Sequence, residues 1–200
     1  MPRKRRGRGR EEPTDDGREV GPPADPQSVA RTILLTKLTG QARSRHELAQ
    51  ALQSKCVPDD VATSVLDRFE EVGLIDDSAF ATAWVESRQS TRGLSRRALA
   101  FELRRKGIEP ELIAETVEAI DPENERALAR GLVDRKVRST RGLDRQSRFR
   151  RLTAALARKG YPPGLSAAVV REAVAADEAV TGAVGAGDLD EVIREDFGLD

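Results

Sequence analysis

From Ser28 to about Ala176, apolar residues recur at steps of three and four, the spacing that lines one face of an α-helix. Turn residues divide this pattern into three successive units, each predicted to hold three helices. Unit one opens at Ser28 with Val29, Ile33 and Leu34. Its second helix starts at Ser44, with Glu47 placed for a capping box, and carries Leu48 and Leu52. Its third starts near Pro58, buries Val61, Val65, Leu66, Phe69 and Val72, and stops at Gly73. Unit two opens at Asp76 and Asp77, acids suited to a helix start, followed by Phe80, Trp84 and Val85. Ser95 caps its second helix, which carries Leu99 and Leu103, and Gly107-Ile108 lead to a third with Leu112, Ile113, Val117 and Ile120. Unit three opens at Asp121-Pro122 with Leu128, Leu132, Val133 and Val137. It continues through Phe149, Leu152 and Leu156 to Gly160, and ends with Leu165, Val169 and Val170.

The units repeat one another. Ser90-Thr91-Arg92-Gly93-Leu94 recurs unchanged as Ser139-Thr140-Arg141-Gly142-Leu143, a shift of 49 residues, and is read as the turn between first and second helices. Leu48, Leu52 and Lys55 map onto Leu99, Leu103 and Lys106 at a shift of 51, and these onto Leu152, Leu156 and Lys159 at a shift of 53. Unit three therefore gains four residues before its second helix, about one helical turn, which lengthens the helix without rotating its face. The predicted fold is all-α, a curved tandem array of three three-helix units spanning 28–75, 76–120 and 121–176. A basic tail over 1–27 and an acidic tail over 177–200 are expected to be disordered, apart from a short helix at Leu189–Phe197.

Composition adds what periodicity leaves out. Charged residues make up 34% of the chain and aromatics 4%, which describes a soluble, polar protein. No apolar run is long enough to span a membrane, and the basic start lacks the apolar segment of a secretory signal, so a cytoplasmic protein is expected. One cysteine, Cys56, and one histidine, His46, argue against a disulfide or a metal site. The net charge of zero is an average over unlike parts: twelve cations against two acids between Arg126 and Lys159, then eight acids against one base after Ala176.

No nucleotide-binding loop, nucleophile motif or paired metal ligand is present, and no cofactor or catalysis is expected. Cys56 stands where the later units have Gly107 and Gly160, and reads as a small residue at a helix end. His46 reads as a surface residue, and Asp76-Asp77 as helix caps. The basic residues are harder to assign to an ordinary solvated face, because acids that would interleave for solubility are scarce. Candidate contacts for phosphate or an acidic surface are Arg92, Arg97, Arg104 and Arg105 in unit two, and Arg141, Arg145, Arg148, Arg151, Arg158 and Lys159 in unit three. Phe101, among these arginines, is expected to pack against a neighbouring unit, with a stacking surface as the alternative. Replacing Arg141, Arg148 and Arg151 by Ala is expected to spare the fold.

Gly73-Leu74-Ile75-Asp76-Asp77, Phe80-Ala81, Trp84-Val85, Arg88, Gly93 and Lys106-Gly107-Ile108 occur in order, with gaps that resemble the signature of the RecX family, regulators of the RecA recombinase. The resemblance covers roughly residues 28–175 and gives Gly73, Asp76, Asp77, Phe80, Trp84, Arg88, Lys106 and Gly107 a structural role. It implies a non-catalytic, monomeric protein that lies on the RecA filament on single- or double-stranded DNA and restrains its ATPase and strand exchange in recombination and repair. The alternative is a stand-alone DNA-binding protein built from helix-turn-helix-like units. The acidic tail is expected to fold back on the basic middle.

Overall fold

A computed structural model describes the backbone of residues 25–197 and side chains through Thr181. The chain forms α1 (Pro26–Gly40), α2 (Arg45–Gln53), α3 (Asp59–Glu71), α4 (Asp77–Arg92), α5 (Arg96–Arg105), α6 (Pro110–Glu118), α7 (Pro122–Val137), a 3₁₀ turn (Arg138–Thr140), α8 (Arg145–Ala157) and α9 (Pro163–Phe197). The described residues are all-α. They hold three separate cores, one per unit, centred on Leu34, Leu48 and Leu52; on Leu99 and Leu103; and on Leu152, Leu156, Val169 and Val170. Helices pack extensively only within a unit.

Local chemistry explains most boundaries. Ser44 accepts the Glu47 N–H and Glu47 reaches back to Ser44, the anticipated capping box. Asp76 accepts from Ala79 N at 2.8 Å and caps α4. Gly73, at φ 71°, follows α3 in the left-handed conformation that side chains disfavour. α8 has 13 residues against 10 in α5, so the insertion does lengthen the helix.

Several expectations need correction. Asp25, not Ser28, caps α1, accepting from Gln27 N and Ser28 N with Pro26 in the first turn, so Pro26 and Gln27 belong to unit one rather than to a tail. Val72 and Val29 are exposed rather than core. α9 continues without a break past Ala176, because Asp177 is buried against unit three; the segment 177–197 is helix, not a tail with a short helix at its end. The readings of residues 1–24 and 198–200 lie outside the described residues.

The two identical pentapeptides also fold differently. Ser90–Arg92 form the last turn of α4, and Gly93 is left-handed at φ 57°. In unit three the same letters form a 3₁₀ turn, and Gly142 does not take positive φ. The difference is tertiary. Leu132 lies against Gly93, and Tyr161 Oη donates to the Gly93 carbonyl at 3.1 Å, whereas a Cβ at Gly142 would meet nothing within 4 Å.

What joins the units is a repeated junction at helix N-termini. The first N–H groups of a helix have no partner within it. Arg45 N, opening α2, donates to Asp77 Oδ1 of unit two at 2.8 Å, and Arg96 N, opening α5, donates to Glu125 Oε1 of unit three at 2.9 Å. Ser44 Oγ donates to Lys106 O at 2.6 Å, and Ser95 N to Lys159 O at 3.1 Å. Both serines are fully buried. Gly107 and Gly160 give the room: a Cβ on either would lie 2.2 Å from His46 Cγ or 2.6 Å from Ser95 Oγ. Cys56, at the equivalent turn of unit one, has φ 55° and is exposed. Gly107→Ala and Gly160→Ala should therefore each cost about 1–3 kcal/mol, whereas Cys56→Ala should stay within about 0.5 kcal/mol; urea unfolding of the three variants compares them.

Candidate interaction surface

The second helices of units two and three carry the basic candidates. On α5, Arg97, Arg104 and Arg105 are exposed and have no ion pair among the described residues. Phe101 lies on the same helix and is 58% exposed, so the expected packing against a neighbouring unit is wrong. A register of four between Arg97 and Phe101, and three on to Arg104, puts the ring and two guanidinium groups on one face. On α8, Arg145, Arg151 and Arg158 are exposed, and Lys159 follows half-buried; none has an ion pair among the described residues.

Three of the ten candidates are engaged inside the molecule. Arg148 is buried: Nη2 reaches Asp177 Oδ2 at 2.7 Å, Nη1 reaches Glu178 at 3.4 Å and Nε donates to Thr140 at 3.3 Å. Arg141 forks onto the same carboxylate, with Nη2–Oδ1 at 2.6 Å. Arg92 approaches Glu102 at 3.7 Å. Arg148 is therefore buried while Arg151 and Arg158 are exposed, and Arg92 and Arg141, which hold the same place in the repeated pentapeptide, have different partners. The expectation that acids beyond residue 176 meet the basic middle holds only for Asp177 and Glu178, as an ordered contact of α9. The hydrogen bonds from Arg141 and Arg148 hold the Asp177 carboxyl down to about 2, against partial burial.

The motif residues form a support beneath α5. Phe80 and Trp84 stack with centroids 5.7 Å apart. Trp84 Nε1 donates to Glu102 at 2.9 Å, as does Arg88 Nε at 3.1 Å. Arg88 Cζ lies 3.9 Å from the Trp84 centroid and Lys106 Nζ 4.5 Å, a double cation–π contact. Lys106 Nζ continues to Glu47 of unit one at 2.7 Å, which ties this cluster to the junction. Asp77 does more than start a helix: it accepts from α2 of the preceding unit, and burial pushes its carboxyl up while the Arg45 N–H and charge pull it down. Glu125, Tyr161, Leu132 and His46 also serve junctions and were missed as such. Glu125 stands out by its burial, which is a property of the structure and leaves no mark in the sequence.

The described residues hold no group of three or more metal-ligating side chains and no helix long and apolar enough to cross a membrane.

Comparison with known proteins agrees with this architecture. Residues 30–69, 76–117 and 123–170 match the first, second and third three-helix domains of RecX. A Streptomyces coelicolor protein named regulatory protein RecX is 57% identical over 153 residues, covering 76% of this chain and 81% of that one. A Thermobifida fusca protein of the same name is 46% identical over 167 residues, covering 81% and 90%. These relatives are named as regulators rather than enzymes. The crystal structure of RecX from Lactobacillus salivarius superposes with a TM-score of 0.70 at 18% identity, over 76% of this chain and 98% of that one. A second crystal structure of regulatory protein RecX gives 0.64 at 25% identity, over 71% of this chain and 70% of that one.

The ion pairs make two predictions. Arg148→Ala should destabilise unit three by on the order of 3 kcal/mol, because it leaves Asp177 buried with one partner fewer. Replacing Arg141, Arg148 and Arg151 together thus tests folding as well as binding. Asp177 has a depressed folded pKa, so its contribution is present above the ordinary carboxylate value and lost as pH falls through about 2. A carboxyl NMR titration should place Asp177 near 2 in the parent chain, and well up toward the ordinary range in Arg141→Ala.

Proposed function

The chain belongs to the RecX family of regulatory proteins, and on that premise we propose that it binds the RecA filament on DNA and restrains RecA ATP hydrolysis and strand exchange. The observation that carries this reading is the placement of exposed cations, with no ion pair among the described residues, on the second helices of successive units: Arg97, Arg104 and Arg105 on α5 and Arg145, Arg151 and Arg158 on α8. A filament repeats its surface along an axis, and a row of units joined by repeated junctions repeats its own. Contacts that are weak singly add once the first is made, because each later one forms at high effective concentration. Arginine forks suit phosphates and carboxylates alike, so both the nucleic acid and an acidic protein surface are in reach of this chemistry. The mechanism needs no covalent step. A chain lying across several protomers opposes any change of spacing between them.

The exposed Phe101 between Arg97 and Arg104 supports a second reading, direct binding to single-stranded nucleic acid by stacking and charge without RecA. In that case bare DNA binds tightly with steep salt dependence, and Phe101→Ala weakens it.

Titrating the chain into RecA hydrolysing ATP on single-stranded DNA tests the first reading. The rate should fall as chain is added. Arg97→Ala, Arg104→Ala, Arg151→Ala and Arg158→Ala combined should shift the inhibition curve to roughly tenfold higher concentration, equivalent to about 1.4 kcal/mol. An undiminished rate at every ratio overturns the proposal.

A further inference from the structure

The two junctions are alike at the helix start and differ beside it. At both, a backbone N–H meets an acid of the next unit, and a buried serine meets the turn that follows the next unit's second helix. Between units two and three there is a second clasp. Gly93 is buried, and a Cβ on it would lie 3.2 Å from Leu132 Cδ1 of unit three. Tyr161 of unit three donates its hydroxyl to the Gly93 carbonyl. The Arg96 guanidinium also approaches Glu125 Oε2 at 3.5 Å.

Between units one and two the same positions hold residues that cannot make this clasp. The register from Ser44 to Ser95 takes Ala42 to Gly93, the register of the turns takes Ala83 to Leu132, and that of the second helices takes Ile108 to Tyr161. Ala42 and Ala83 are exposed, while Ile108 has no hydroxyl and packs in the core of unit two. The Arg45 guanidinium turns to Asp67 and Glu70 of its own unit. The hydrogen bonds and ion pairs between these two units gather around the start of α2. Arg45 N meets Asp77, Ser44 meets the Lys106 carbonyl, and Lys106 Nζ meets Glu47. Beside them the units part around an open cleft of about 260 Å³, lined by Glu47 and Gln50 of unit one and by Trp84, Glu102, Arg105 and Lys106 of unit two.

A small polar interface leaves relative motion as the default. Contacts gathered at one place fix position but leave the angle free, whereas two clasps set apart fix both. We propose that the junction between units one and two is a hinge with its pivot at the start of α2, and that units two and three move as one body. The hinge is independent of what the chain binds. It sets a division of labour along the row: α5 and α8 keep a constant relation, while unit one changes the curvature at one end. The residues that absorb the motion are Leu74–Asp76, between the end of α3 and the start of α4, where hinges of this kind commonly lie.

Distances between pairs of spin labels, measured by double electron–electron resonance on the whole chain, test both junctions. In the Cys56→Ser chain, Ser64→Cys and Glu115→Cys report on units one and two, and Glu115→Cys and Arg171→Cys on units two and three; all three sites are exposed positions on third helices. The first distance distribution should be about twofold broader than the second, or more. Tyr161→Phe, which keeps the ring and removes the hydroxyl, and Leu132→Ala should each broaden the second distribution toward the first. Circular dichroism checks that both variants stay helical, and Tyr161→Phe alone decides if Leu132→Ala does not. Equal widths for the two parent pairs overturn the hinge. A second distribution that stays narrow in the folded clasp variants also overturns it, because the clasp is then not what sets the angle.

Discussion

The arrangement depends on the unpaired N–H groups at the starts of α2 and α5. A helix start left without acceptors in a buried place is costly, and here the acceptor comes from the next unit: Asp77 for Arg45 N and Glu125 for Arg96 N. Each carboxylate sits in the first turn or so of the following unit's first helix, where the positive end of that helix favours it too. One acid therefore serves two helix starts, and the two units that contribute them are held together there. The buried caps Ser44 and Ser95 and the glycines at 107 and 160 follow from that contact, since the turn must approach the helix start closely.

The ends of the row show the same constraint by relaxing it. Cys56 takes the left-handed conformation of its glycine counterparts but carries an exposed side chain, with no other unit packed on it among the described residues. At the other end, Gly142 and Arg151 occupy the places of Gly93 and Ala98, and the surface changes from close-packed to cationic. Repeats that look interchangeable by register thus differ by whether a neighbour is present. The pentapeptide is the clearest instance: the first copy ends an α-helix where Leu132 and Tyr161 meet Gly93, and the second enters a 3₁₀ turn where Arg148 meets Thr140 and Arg141 meets Asp177.

Much of the fold was legible from the chain alone, because period and caps are local. The leucine stripes, the Ser44 box, Gly73, Gly107 and Gly160 and the lengthened α8 all read directly. The failures share a cause. Periodicity says that Arg148 lies on a helix face but not that Asp177, 29 residues on, comes to meet it. Hydrophobic character put Val72 and Phe101 inside, where no neighbour exists to cover them. Asp25-Pro26 carries the same start signal as Asp121-Pro122, an acid cap followed by Pro in the first turn, but the segment before it has almost no apolar periodicity to mark a unit. Of the candidate surface, charge density picks out α5 and α8 as the basic helices, while the division between exposed and internally paired arginines depends on tertiary contacts.

The same division bears on function. Arginines held by Asp177 stabilise unit three, and those with no ion pair among the described residues on α5 and α8 are the ones proposed to meet a partner. Hydrogen–deuterium exchange of the chain alone and on RecA filaments with single-stranded DNA separates the two roles most directly. Filament binding should slow exchange in α5 and α8 and leave α1 and α3 unchanged. Protection confined to α1 and α3, or none at all, would contradict the assignment of the second helices as the gripping surface.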